Sequence, residues 1–235
     1  TPVNDEFDME YIDIDNDKST FSSSSAALFM KNETDKKIVF AGLYWSATYK
    51  YESGYKKGQD KFVAFDKTRE PFHEILLKLP NTKDYTPILG QVLFDGAKNS
   101  KFKDAAPYLA FADVTQLVQE LESPFGFYTV ANVKATQGTL IGGSAAGWTI
   151  VFVFEDSSMT EKYISIQEGF LGAMNQSMDI AFHSFETPPY GDINAKLVLA
   201  ALEGDFNVDG DLIMFNSTTS PDFTNLKTAN RPYSN

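Results

Sequence analysis

Asp205, Asn207 and Asp209 stand at alternate positions, with Gly210 and then Asp211 behind them, in the run EGDFNVDGD. Oxygen donors at first, third and fifth places, followed by a glycine that allows a sharp turn, are what a calcium loop uses to wrap a hard cation. Asp211 offers a further carbonyl or carboxylate. The twelfth place is Asn216 rather than a bidentate glutamate, and a strand-like run follows. The pattern is therefore that of a lone calcium loop on a β scaffold, not an EF-hand; the alternative is an Asx-rich turn with solvated acids. Asp13, Asp15 and Asp17 repeat the alternate spacing near the start, with Lys18 where the loop glycine belongs. In a loop these three would gather on calcium; in a straight strand they form only a solvated acidic face. Tyr49, Tyr51 and Tyr55 form a third group. Alternating rings on an exposed hairpin would stack on sugar rings, or else be ordinary surface tyrosines.

Catalytic patterns are absent from this inventory. The two histidines, His73 and His183, fall in separate strand-like runs, and His183 sits among phenylalanines. There is no H-E-x-x-H, phosphate-binding glycine loop or dinucleotide fingerprint. Ser144 lacks the second glycine of a nucleophile elbow, because position 146 is alanine. With 32 acidic residues, any two can be posed as a glycosidase pair, so that reasoning selects none. No cysteine is present, which removes disulfides, thiolate nucleophiles and cysteine metal sites. No catalytic residue is expected. The formal net charge of -12 argues against nucleic acid and anionic membranes, since phosphate binding needs clustered lysine and arginine. No apolar run approaches the roughly 18 residues of a membrane span, so membrane insertion is not expected.

The elements that must position these groups read mostly as strands. Ile141–Asp156 (IGGSAAGWTIVFVFED) opens on a flexible turn and enters a near-continuous run of β-branched and aromatic residues. Such a run predicts a central strand buried on both faces. Lys36–Trp45 is a second strong strand, in which Trp45 is a core or rim packing residue. Further strands are expected over Tyr11–Asp15, Lys61–Asp66, Phe72–Leu79 (strand or short helix), Thr86–Phe94 with a break at Gly90, Gly126–Val133, Lys162–Gln167, Met178–Phe185 and Ile193–Leu202. One helix is predicted after Asp113, as N-cap with Gln116 three residues on, carrying Val114, Leu117, Val118 and Leu121 on one face and stopping at Ser123-Pro124. Many short strands, one capped helix and no βαβ alternation predict an all-β, antiparallel β-sandwich, jelly-roll-like, with one short helix. Residues 1–10 read as a flexible lead-in, 11–216 as a single module, and 217–235 as a linker or the start of a next element. The chain opens at Thr1-Pro2 without methionine and is expected to be a mature or excised piece of something longer.

Several blocks carry a resemblance: FAGLYWSATY (Phe40 to Tyr49), YLAFADVTQLV (Tyr108 to Val118), FYTVANVKATQGT (Phe127 to Thr139), AAGWTIVFVFED (Ala145 to Asp156) and ISIQEGF (Ile164 to Phe170). Together they resemble a module of very large bacterial cell-surface proteins, including the gliding-motility adhesins and related repeat proteins of Bacteroidetes. The resemblance runs from about Ile12 to Asn216 and is most specific at the FADVT helix entrance and the AGW-strand-ED block. It implies a β-sandwich module exported across the outer membrane and displayed at the extracellular surface, beside neighbouring modules of the same long chain. Adhesion to a surface polysaccharide or protein ligand, or a structural stalk role, is the implied function. It implies no catalytic residues. The turn at Asp205 carries more carboxylates than the family pattern, so calcium is an expectation of this sequence alone. The other expectation is a carbohydrate-binding jelly roll using Trp45 and the three tyrosines.

Overall fold

A computed structural model describes residues 7–58, 61–172, 178–182, 190–191, 196–200, 214–217 and 220–225. In chain order the strands are β1 (Ser23–Leu28), β2 (Lys36–Thr48), β3 (Ser53–Lys56), β4 (Phe62–Asp66), β5 (Glu74–Lys78), β6 (Thr86–Leu89), β7 (Gln91–Asp95), β8 (Pro107–Asp113), then helix α1 (Thr115–Gln119), β9 (Gly126–Ala131), β10 (Gln137–Gly138), β11 (Ala146–Asp156), β12 (Met214–Ser217) and β13 (Ser220–Asn225). Two four-stranded sheets carry the fold, β1-β9-β5-β6 and β11-β2-β8-β7, and a three-stranded sheet β10-β3-β4 flanks them. All ladders in the two large sheets are antiparallel. Their inner faces share one core: Leu43, Trp45 and Ala47 of β2, with Tyr108 and Ala110 of β8, meet Ile75, Leu77, Ile88, Tyr128 and Val130 of the other sheet. The architecture is thus the antiparallel sandwich expected from the strand pattern. Its jelly-roll form stays an expectation.

Gly90 is the corner that makes the sandwich possible. It separates β6 in one sheet from β7 in the other, so the chain changes sheets there. A Cβ at Gly90 would collide with the Trp45 ring, which explains why glycine stands at this break. Trp45 is fully buried, and its indole N–H donates to the Phe72 carbonyl at 3.0 Å.

Three expectations are corrected. The predicted central strand begins at Ala146 and, among the described residues, pairs only with β2; the inner strands of this sheet are β8 and β2, whose Leu43, Trp45 and Ala47 are buried. Apolar residues on both faces of β11 show what it packs against, but not which neighbours it has. Tyr11–Asp15 is not a strand: Ile12 and Ile14 face solvent while Tyr11 packs on the core. The helix spans only Thr115–Gln119. Asp113 ends β8 one position before the N-cap, which is Val114, and its carboxylate accepts from the Thr115 N–H at 2.9 Å. Val118 is still buried, and the helix is tied to β2 by Ala41 N–H donating to Thr115 Oγ1 and Gln119 Nε2 donating to the Ile38 carbonyl.

Candidate functional site

A cleft of about 590 Å³ is lined by Glu10, Tyr11, Phe21, Glu52, Lys134 and Gln137. A second, of about 310 Å³, adjoins it through Phe21 and Lys134 and adds Pro71, His73, Glu74, Ile75, Leu76 and Asn132. The floor comes from three chain segments that lie outside the strands except at Gln137, which opens β10. Residues 8–22 cross the end of the sandwich, anchored by Met9, whose backbone bonds in both directions with Gly138. The turn after β2 brings Glu52. The turn after β9 brings Lys134 and, further on, Gln137.

Each wall is fixed by hydrogen bonds that satisfy backbone groups outside the ladders. The Tyr11 hydroxyl donates to the Ala135 carbonyl at 2.8 Å and accepts from the Ala135 N–H at 3.0 Å. Burial pushes that phenol up to about 12. Asn132 adopts φ 66°, a left-handed turn that asparagine tolerates, and its side chain grips the crossing segment: Oδ1 accepts from Phe21 N–H at 2.9 Å and Nδ2 donates to the Ser19 carbonyl at 3.2 Å. Phe21 is held beside Tyr11 with ring centroids 4.8 Å apart, yet stays 38% exposed. Lys134 lies 5.5 Å from the Phe21 ring centre and pairs with Glu70. Glu52 accepts from the Tyr49 hydroxyl at 2.7 Å. The result is an exposed aromatic ring between carboxylate, amide and ammonium groups. This set can cover one apolar face of a ligand while bonding hydroxyls at its rim.

The tyrosine platform is corrected. Tyr49 and Tyr51 are buried: the Tyr49 hydroxyl is shared between Glu52 and the Glu70 N–H, and the Tyr51 hydroxyl donates to the Thr139 carbonyl at 3.1 Å. Their rings pack inward because the chain turns after Thr48 instead of continuing as a hairpin strand. Burial raises both phenols above their ordinary range. Only Tyr55, on β3, is exposed. Ser144 is also buried, with its hydroxyl on the Thr136 carbonyl.

Asp13, Asp15 and Asp17 are brought close in sequence but spent on separate bonds. Asp15 accepts from Asp17 N–H at 3.0 Å, Thr20 Oγ1 at 3.1 Å and the Tyr85 hydroxyl. Asp17 accepts from the Ser19 N–H and hydroxyl, and Asp13 from the Ser23 hydroxyl. The Tyr85 bond holds the Asp15 carboxyl below its usual range, and the Ser19 bonds do so for Asp17. Among the described residues no cluster of three or more His, Asp or Glu is arranged to hold a metal. Asp205, Asn207, Asp209 and Asp211 lie outside the described residues, as does His183. His73 lines the smaller cleft.

No family model, curated protein or solved structure matches the chain. The cleft residues were not singled out by sequence. Alternation over Tyr11–Asp15 sets Ile12 and Ile14 on one side and does not mark Tyr11, and a lone Phe21 among serines and threonines gives no periodic signal.

Proposed function

We propose that this chain is a non-catalytic β-sandwich module of a secreted bacterial cell-surface adhesin, and that it binds a surface polysaccharide in the Phe21 cleft. The observation that carries the reading is Phe21 itself. It is a large apolar ring left exposed at the junction of two adjoining clefts, with Glu10, Glu52, Gln137 and Lys134 around it. A sugar presents an apolar C–H face and a rim of hydroxyls, which this arrangement matches. The resemblance to gliding-type surface repeat proteins supports the adhesin setting, beside neighbouring modules at the outer membrane. The net charge of -12 suits neutral glycans better than polyanions. Calorimetric titration with a panel of purified neutral polysaccharides tests the reading. Saturable binding without turnover supports it; folded protein that binds none of them, or that cleaves one, overturns it.

Calcium at the Asp205 loop belongs to the same proposal, as a stiffener of a displayed module. Ligand binding to the native state raises the melting midpoint by mass action. Added calcium is therefore expected to raise the midpoint above that with excess chelator, and Asp209→Ala to abolish the difference while Asp15→Ala leaves it. Superimposed curves would remove calcium from the proposal.

A further inference from the structure

The free edge of β11 is the anomaly of the fold. This strand is eleven residues long, pairs with β2 over its whole length, and has no partner on its other side among the described residues. From Ala146 to Phe154 it carries no charge and no proline. Folded proteins blunt long apolar edges with charges, prolines or covering segments, because an open row of N–H and C=O groups recruits another strand. Trp148, Ile150, Phe152 and Phe154 project to the core side, and Thr149, Val151 and Val153 to the other. A partner strand with an apolar face toward the core would close this edge.

Such a segment follows at once. Lys162–Gln167 (KYISIQ) alternates in β fashion but lies outside any strand here, with Ile164 56% and Ile166 38% exposed. Residues 157–161 are a connection of hairpin length. The reversal is already begun: Met159 N–H donates to the Asp156 carbonyl at 3.1 Å, and the Ser158 N–H and hydroxyl donate to the Asp156 carboxylate at 2.9 and 2.6 Å.

We propose that Lys162–Gln167 is the strand that occupies the free edge of β11, closing an antiparallel hairpin. With Asp156 opposite Lys162, the register sets Phe154 against Ile164, Val153 against Ser165, Phe152 against Ile166 and Val151 against Gln167. Both isoleucines then join Phe152 and Phe154 on the core side, and Ser165 and Gln167 lie on the far face. A slip by one residue would reverse this and leave both isoleucines outside. The exit also fits. The chain leaves the strand at Glu168, level with the middle of β11, where its carboxylate accepts from the Tyr44 hydroxyl at 2.7 Å, and Tyr44 is the neighbour of Thr149. Beyond it, Phe170 stacks on Phe94 at 4.3 Å and meets Phe102 edge-on at 5.3 Å, so the continuation is already fastened across the outer face of the sheet.

Residue-resolved amide hydrogen exchange on the unmodified protein tests occupancy. An edge strand leaves every second amide unpaired. Protection at consecutive residues from Val151 to Phe154, independent of protein concentration, is expected; alternating protection there, or protection that appears only on concentration, overturns the proposal, the latter by making a second copy the occupant. The occupant is tested with the double variant Val153→Cys/Ser165→Cys, since the native chain has no cysteine to compete. A disulfide within the monomer, absent from Val153→Cys/Val198→Cys, supports the assignment. A folded double variant that stays reduced, or a bridge in the Val198 pair instead, overturns it.

Discussion

Tyr49 at the end of β2 and Phe21 at the cleft are both aromatic residues in turn-rich stretches near polar neighbours, yet the fold treats them oppositely. Tyr49 is enclosed. Its hydroxyl meets Glu52 and the Glu70 N–H, its carbonyl accepts from Arg69 Nε at 2.6 Å, and Phe72 packs edge-on against its ring. Phe21 is held at its backbone by Asn132, at one side by Tyr11 and under the Lys134 ammonium, and it still keeps 38% of its surface exposed. A ring whose every side is satisfied from within stabilises the fold. One that is positioned but not covered is available to a ligand. Exposure after fixation, not residue type, separates the two.

The widest gap between the regions is expected in stability. Trp45→Ala, on the enclosed side, removes a fully buried indole and its bond to Phe72, and should cost about 3–5 kcal/mol in denaturant titration. Phe21→Ala, at the cleft, should cost only about 1 kcal/mol. Equal losses would break the distinction. Tyr49→Phe sharpens it at finer scale: deleting one hydroxyl with two partners should cost about 1 kcal/mol in the same denaturant titration.

The smallest expected effect is on acid stability, away from both regions. The Lys36 ammonium, 2.7 Å from Asp156 and assisted by Ser158, depresses the Asp156 carboxyl to about 2. The unfolded value is about 3.9, so the contribution of this pair is present above that pH and is lost as pH falls toward the folded value. Asp156→Asn should therefore flatten the fall in stability over that window and do nothing to glycan affinity. Unchanged acid unfolding would mean that the pair is solvent-screened.

Much of the sandwich was legible because strand physics is local. Lys36–Trp45 announced β2, and Gly90 announced the break between β6 and β7, although only the Trp45 contact shows why glycine is needed there. The neighbours of β11 were not legible, because an apolar run reports burial without reporting topology. The cleft was less legible still. It depends on residues 8–22 crossing the sandwich and being gripped by Asn132, more than a hundred positions away, and no spacing within either segment encodes that meeting. The three tyrosines misled for a related reason: alternation in sequence was read as alternation on a surface, while the chain turned inward after Thr48.

The most direct test of the central claim is calorimetric titration of one neutral polysaccharide that binds the native chain into three proteins: native, Phe21→Ala and Tyr55→Ala. The account predicts that Phe21→Ala weakens binding by about tenfold or more, equivalent to about 1.4 kcal/mol, with the fold intact, and that Tyr55→Ala binds as the native chain does. Loss of binding in Tyr55→Ala with native affinity in Phe21→Ala would contradict it and return the site to the β3 hairpin.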